Sequence, residues 1–276
     1  MELALGLTCS RQHQTVMKHP TSIVFITGTF VGNNCWDDWM SYFESYGYKC
    51  IAPSWPHKND TPEVLRNRHP DMAVASNRLQ ALTDFYASIV ASLPGKSIAI
   101  GHSLGGLIVQ LLIQRGLVAA GVAIHSFPPP GVCQYKFSFL RELWDVMDVF
   151  SDLDQSYMMP FKKWQRTVAN GMTCDQQKEF YYLYAIPESK SAVSDTFNCG
   201  AKIDFKNPHS PLLLTSGTQD KIVPASVNFC NYKKYNQANS ITTYKEFKGH
   251  NHMVFGHPAA MEEAKFILFW LYRLNK

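Results

Sequence analysis

Ser97-Ile98-Ala99-Ile100-Gly101-His102-Ser103-Leu104-Gly105-Gly106-Leu107-Ile108-Val109 carries the decisive pattern of this chain. A short apolar run ends at a glycine. Two residues on comes a serine, then two glycines, then a second apolar run with helical spacing. Gly-x-Ser-x-Gly with a strand before it and a helix after it reads as a tight turn that lifts the serine hydroxyl above the end of a sheet. Glycines at 101 and 105 remove side chains where strand and helix must approach. The helix that opens at Ser103 directs free N–H groups and the positive end of its dipole at the same point, where a developing oxyanion would be stabilised. Without that context the pattern would be an ordinary glycine turn with an N-cap serine.

The same strand–helix rhythm extends in both directions. Residues 22–27 form a nearly continuous apolar run, as expected of a parallel strand buried on both faces. An amphipathic helix over 36–46, a strand over 48–52 and a loop over 54–70 follow. A long helix over 71–92 leads to the turn at Pro94-Gly95. The elbow helix runs to about residue 115, and residues 119–125 are another buried strand. The rhythm then stops at Pro128-Pro129-Pro130-Gly131. Helical patches at 139–150, 159–169 and 175–184, dense in aromatics such as Trp144 and Trp164, fill the interval. Strands at 211–216 and 240–247 and helices at 224–235 and 259–274 complete the chain. The first twenty residues are a polar lead-in with room for one edge strand. The pattern predicts an α/β fold, a mostly parallel central sheet with helices on both faces. Residues 1–126 and 208–276 form its core, and 127–207 form a helical cap after the strand that follows the elbow. So long an insert has a job, such as a lid, or is a packing subdomain.

Composition excludes several classes. The 276 residues are 46% hydrophobic and 17% charged, which suits a globular chain with a sizeable core. A net charge of +4 without a basic run or basic–aromatic stripe gives no reason to expect nucleic acid as a partner. No apolar stretch reaches the length of a membrane span. The seven cysteines are odd in number, unevenly spaced and free of C-x-x-C pairs. They predict neither a disulfide framework nor a zinc site, and a reduced, cytoplasmic setting. A homodimer stays an open alternative.

A serine needs a base to take its proton and an acid to orient that base. In a parallel sheet such groups sit at the carboxyl ends of strands. The loop after residues 211–216 reads Gly217-Thr218-Gln219-Asp220-Lys221-Ile222-Val223-Pro224, and Asp220 is its only carboxylate. The loop after residues 240–247 reads Gly249-His250-Asn251-His252-Met253-Val254-Phe255-Gly256-His257. Spacing does not choose between His250 and His252. The backbone N–H of Leu104 is one oxyanion donor, and the loop after the first strand supplies the second, from Thr29 or from its neighbour Phe30.

With these residues the chain resembles the α/β-hydrolase superfamily, in its compact, lidded kind related to small esterases. Members often carry Gly-Arg-x-His after the last strand; here Gly249-His250-Asn251-His252 puts His250 in the arginine place and favours His252 as base. They also carry Gly-x-x-Asp-x-x-Val-Pro, matched by Gly217, Asp220, Val223 and Pro224. Two departures stand out. The usual His-Gly before the oxyanion residue is Thr27-Gly28, and the Pro-Asp after the second strand is Pro53-Ser54, a change expected to reshape one pocket wall. The resemblance implies an ester hydrolase acting on a small apolar or aromatic substrate, with Ser103, Asp220 and His252 catalytic, Thr29 and Leu104 in the oxyanion hole, and no metal or organic cofactor. Thioesterase, lactonase, amidase or carbon–carbon cleaving or lyase chemistry use the same residues, and a ligand-binding receptor can retain them.

Overall fold

The computed structural model describes residues 22–132, 154–197, 199–235, 239–256 and 258–274. Six strands, β1 (Ser22–Ile26), β2 (Lys49–Ile51), β3 (Ile98–His102), β4 (Ala120–Ile124), β7 (Leu212–Gly217) and β8 (Thr242–Phe247), build one sheet. Its order is β2-β1-β3-β4-β7-β8 and every pairing is parallel. All six match the strands read from the sequence. The chain moves one way from β1 to β2 and the other way from β3 onward. A crevice therefore opens at the carboxyl ends of β1 and β3, where such sheets hold ligands.

β1, β3, β4 and β7 are buried along their whole length, which is why they read as unbroken apolar runs rather than alternating ones. The helix Leu104–Gln114 is buried from Leu104 through Ile113. Such a helix is apolar all round because it lies inside the domain. Phe25, Trp36, Trp39 and Phe43 pack ring against ring on β1, and Trp39 Nε1 donates to the Val254 carbonyl at 2.9 Å. The last contact ties the helix Asp37–Glu44 to the loop after β8.

Two expectations need correction. Residues 54–70 are not all loop: Pro62–Asn67 is a helix, with Thr61 as N-cap and proline at its start, a pattern with a known preference. The long helix over 71–92 is two helices, Met72–Ala75 and Leu79–Ser92. Asp71 caps the first through the amides of Ala73 and Val74. The second is capped from far away: Asp195 accepts the Leu79 N–H at 3.1 Å and pairs with Arg78. Periodicity sees no break because the cap comes from another part of the chain. The patch expected at 139–150, with Trp144, and the edge strand in the lead-in lie outside the described residues.

Between β4 and β7 the chain forms a two-stranded antiparallel ribbon, β5 (Ser156–Tyr157) with β6 (Glu188–Ser189), and the helices Phe161–Thr167, Cys174–Tyr184 and Lys190–Ser194. This insert is laced to the loop after β1. Gly32 N–H donates to the Tyr184 carbonyl, and Ile186 N–H to the Phe30 carbonyl, both at 3.0 Å. Glu188, fully buried, accepts from Lys58 Nζ at 2.5 Å and from the Phe30 N–H at 3.2 Å. Lys58 in turn lies 3.9 Å from the Trp55 ring centroid. Burial pushes the Lys58 ammonium below the usual lysine range, and Glu188 opposes that push.

No helix among the described residues is long and apolar enough to cross a membrane. Cys230 is disulfide-bonded, against the expectation drawn from cysteine spacing. The fold, not the spacing, decides which sulfurs meet.

Removing one partner of a buried ion pair leaves the other charge uncompensated, which costs about 3–5 kcal/mol. Lys58→Met is accordingly expected to lower unfolding stability by that amount in urea denaturation. Lys58→Met combined with Glu188→Gln is expected to regain most of it. An unmoved midpoint in the single variant would mean that the backbone amides alone satisfy Glu188.

Candidate active site

Gly101 and Gly105 make the elbow possible. A Cβ on Gly101 would fall on the carbonyl of Gly105, and one on Gly105 on the carbonyl of Ile26. Strand, turn and helix thus touch backbone to backbone. Ser103 sits between them at φ 57°, ψ −118°, a strained conformation for a residue with a side chain. The turn is held by Ser103 N–H donating to the Ile124 carbonyl at 2.9 Å and by Phe127 N–H donating to the Ser103 carbonyl at 3.0 Å.

The structure brings Ser103, His252 and Asp220 together. His252 Nε2 lies 3.0 Å from Ser103 Oγ, and His252 Nδ1 lies 2.7 Å from Asp220 Oδ2. A carboxylate only accepts, so Nδ1 carries the proton and Nε2 offers its lone pair to the serine hydroxyl. Asp220 is fixed in turn: its Oδ1 accepts the N–H groups of Ile222 and Val223, both at 2.8 Å. Burial alone would raise the Asp220 carboxyl, but His252 and then His125 hold it well below the usual carboxylate range. All three groups are buried. A serine, imidazole and carboxylate so arranged can move a proton off the hydroxyl as it attacks an electrophilic carbon.

His250 goes elsewhere. Its ring stacks on Phe247 at 5.0 Å, and its Nε2 lies 3.3 Å from Glu262 Oε2 on the last helix. Glu263, against partial burial and helped by Glu262, raises its pKa. His102 underlies the site. It is buried beside His252, with ring centroids 4.6 Å apart, and its Nε2 donates to the His252 carbonyl at 2.8 Å. Burial first, then the neighbouring His252 and His125, drive its pKa well below the usual imidazole value, so His102 is neutral.

Leu104 is buried directly after Ser103 as the first residue of its helix. Thr29 and Phe30 occupy the loop after β1, and both line the cavity beside His252. The Phe30 N–H is already engaged by Glu188. The cavity is narrow, about 30 Å³, room for roughly two water molecules. Its walls are Ile222 and Phe255 from the core and Phe127, Met159, Trp164 and Val168 from residues 127–207, without a charged side chain. Pro53 to Pro56 are not among the residues that line it; Trp55 carries Lys58.

Sequence reasoning passes over two residues of the site. His125 follows β4 directly and lies 3.1 Å from Asp220 Oδ2. Glu263, which reads as a favourable charge at a helix start, is fully buried, 3.6 Å from His125 Nε2. Strand-end position could have found His125; nothing in the helical pattern marks Glu263. Among the described residues, His125, Asp220 and His252 have the composition of a metal site, with candidate ligand atoms within 4.8 Å of one another. Asp220 already bonds His252 Nδ1 through Oδ2 and two amides through Oδ1, so a metal there would have to displace the first of these.

Comparison with known proteins identifies the family of the chain. The family model described as "Alpha/beta hydrolase family" matches residues 23–264. A non-heme chloroperoxidase from Streptomyces lividans is 25% identical over 222 residues, covering 73% of this chain and 75% of that protein. An extracellular alpha/beta-hydrolase from a Paenibacillus species, described as sharing structural and functional homology with Tobacco Salicylic Acid Binding Protein 2, superposes with a TM-score of 0.65 at 19% identity over 89% of this chain and 98% of its own. A monoacylglycerol lipase from Paleococcus ferrophilus does so at 0.64 and 20% identity, over 91% of this chain and 95% of its own. A match to the family model over most of its length shows that the chain belongs to the alpha/beta hydrolase family.

Proposed function

We propose that the protein is a serine hydrolase that cleaves a carboxylic ester of a small, uncharged, apolar substrate through an acyl-enzyme. The observation that carries this reading is the continuous chain Ser103 Oγ, His252 Nε2, His252 Nδ1, Asp220 Oδ2, with links of 3.0 and 2.7 Å, at the start of a helix. Ser103 Oγ attacks the ester carbon while His252 Nε2 takes the hydroxyl proton. The Leu104 and Thr29 N–H groups receive the negative charge that develops on the carbonyl oxygen. His252 then gives the proton to the departing alcohol, and water opens the acyl-enzyme by the same steps in reverse roles. Asp220 keeps the imidazole in the tautomer that makes Nε2 the base. The fixed Phe30 N–H, bound to Glu188, supports Thr29 over Phe30 as the second donor.

The cavity walls support the substrate class. Burying an unpaired charge among Phe127, Trp164, Ile222 and Phe255 would be costly, so the acyl group is uncharged. Met159 and Trp164 of the insert line the space that the acyl group would enter, beside Ile222 and Phe255.

Ser103→Ala is expected to abolish labelling by a fluorophosphonate and to remove several orders of magnitude of p-nitrophenyl ester hydrolysis. Labelling that persists in the variant would place the nucleophile elsewhere. Labelling of the wild type without ester turnover would point to another acyl substrate or to a receptor-like role.

The histidines separate in the same assay. His252→Ala is expected to match the loss seen for the serine, since base and nucleophile act as a unit. His250→Ala, which removes a group facing the last helix, is expected to keep turnover within roughly tenfold of wild type. A dead His250 variant beside an active His252 variant would reverse the assignment.

Trp164→Ala is expected to move the preferred substrate from acetate toward octanoate esters, read as kcat/KM across the series, with Ser103 labelling retained. Equal selectivity before and after would make the cap a packing element only.

A further inference from the structure

His125 is a second imidazole on the acid of the Ser103 relay, and nothing in the proposed reaction uses it. It leaves the carboxyl end of β4 at φ 45°, in the left-handed region that a residue with a side chain occupies at a cost. Its Nδ1 lies 3.1 Å from Asp220 Oδ2, the same oxygen that holds His252 Nδ1 at 2.7 Å. Its Nε2 lies 3.6 Å from Glu263 Oε2. Both His125 and Glu263 are fully buried. Neither Glu263 oxygen and neither His125 nitrogen makes a hydrogen bond among the described residues, so these groups meet as close neighbours, at 3.1 and 3.6 Å, rather than as bonded pairs. Within 4 Å of Glu263 Oε2 lie His125 and, at 3.8 Å, His250 Nδ1. His250 then reaches Glu262, which is on the surface. Acid and imidazole thus alternate from Asp220 through His125, Glu263 and His250 to Glu262 at the solvent.

We propose that His125 is a positioning residue of the Ser103–His252–Asp220 relay: held as an imidazolium between Asp220 and Glu263, it fixes the Asp220 carboxylate and weakens the pull of that carboxylate on a proton at His252. The proposal rests on the serine-hydrolase reading above. Every charge facing His125 fits it. Asp220 comes from the loop after β7, Glu263 from the last helix, and His252 and His250 from the loop after β8. His102, from β3, is 6.3 Å away ring to ring and neutral. The Asn251 backbone also favours the charged ring. Burial by itself would strip the proton from His125, but Glu263 and then Asp220 hold its pKa above the usual imidazole value.

The consequence has a definite sign. The rings of His125 and His252 are 6.1 Å apart. A cation at that distance in a buried site opposes a second one at His252. Taking the charge off residue 125 removes that opposition, so the acid limb of the activity is expected to lie at higher pH without it.

His125→Asn is the test, because asparagine tolerates the left-handed backbone and carries no charge. The rate of fluorophosphonate labelling of Ser103 and kcat/KM for p-nitrophenyl acetate are measured between pH 4 and pH 9. The expected result is an acid limb that moves up by about one pH unit in both profiles. A variant that loses rate at every pH with its limb unmoved would overturn the proposal and leave His125 a packing residue. Nitrogen-15 NMR of histidine-labelled wild-type protein at pH 7 gives an answer that does not need the variant to fold. Both His125 nitrogens are expected to be protonated, and a neutral-tautomer signature would equally overturn the proposal. Wild-type protein that is neither labelled nor turns over the ester would instead remove the hydrolase reading on which the proposal stands.

Discussion

The backbone contact between β3, the helix that follows it and the end of β1 is the constraint on which the site depends. Gly101 and Gly105 allow main chain to lie against main chain where any Cβ would collide. That approach forces the chain through Ser103 at positive φ and starts a helix in the next residue. The strain is local and is held by the parallel ladder below it, where Ser103 N–H bonds to the β4 end at Ile124. A rigid sheet, all of whose central strands are buried, supplies the stiffness a strained turn needs. The loops after β7 and β8 then have to deliver a carboxylate and an imidazole to one fixed point. They are joined by their own bonds, Gln219 N–H to the His250 carbonyl at 2.9 Å and Thr218 N–H to the Phe247 carbonyl at 3.0 Å.

The loop after β1 links the site to the insert above it. Phe30 donates to Glu188 from its amide and accepts from Ile186 at its carbonyl, so one residue of that loop is gripped on both sides by the insert. Glu188 would be a liability without Lys58, since a buried carboxylate served by two amides alone is poorly compensated. The ion pair therefore has a geometric consequence, because it lets a charged acceptor sit next to the loop that faces the serine. The narrow apolar cavity follows from the same lacing, because the segment that binds Phe30 also brings the insert down onto the site.

Much of this was legible in the sequence, for reasons that can be named. Buried parallel strands are continuous apolar runs, and β1, β3, β4 and β7 were readable as such, while β2 and β8 were placed by their flanking turns and by alternation. The elbow was readable because glycines at two fixed offsets from a serine have few other uses between a strand and a helix. Asp220 was readable because its loop holds no other carboxylate. His252 was separable from His250 only through resemblance to related chains, since alternation along a loop does not say which ring turns inward. What stayed hidden depends on partners distant in the chain. Asp195 caps a helix that starts at Leu79, more than a hundred residues earlier, and Glu188 takes an amide beside the serine from deep within the insert. Thr61-Pro62 was a readable helix start that the surrounding prolines and asparagines obscured.

Three histidines share the volume around Ser103, and their surroundings assign them different charges. His102 is buried without an acid and gives its one N–H to a carbonyl, so it is neutral and serves as a prop for the His252 backbone. His125 is buried between two carboxylates, and acidic neighbours on both sides oppose the loss of its proton. His252 alone has an acid at one nitrogen and a hydroxyl at the other. Identical side chains are thus differentiated by what faces each nitrogen, which is how one site holds fixed and exchangeable protons side by side. A proton arriving at His102 meets a low-dielectric pocket and two imidazole neighbours, and one leaving His125 abandons two buried carboxylates. Both changes are disfavoured within the working range of a hydrolase. Of the three, His252 is the imidazole that touches the serine.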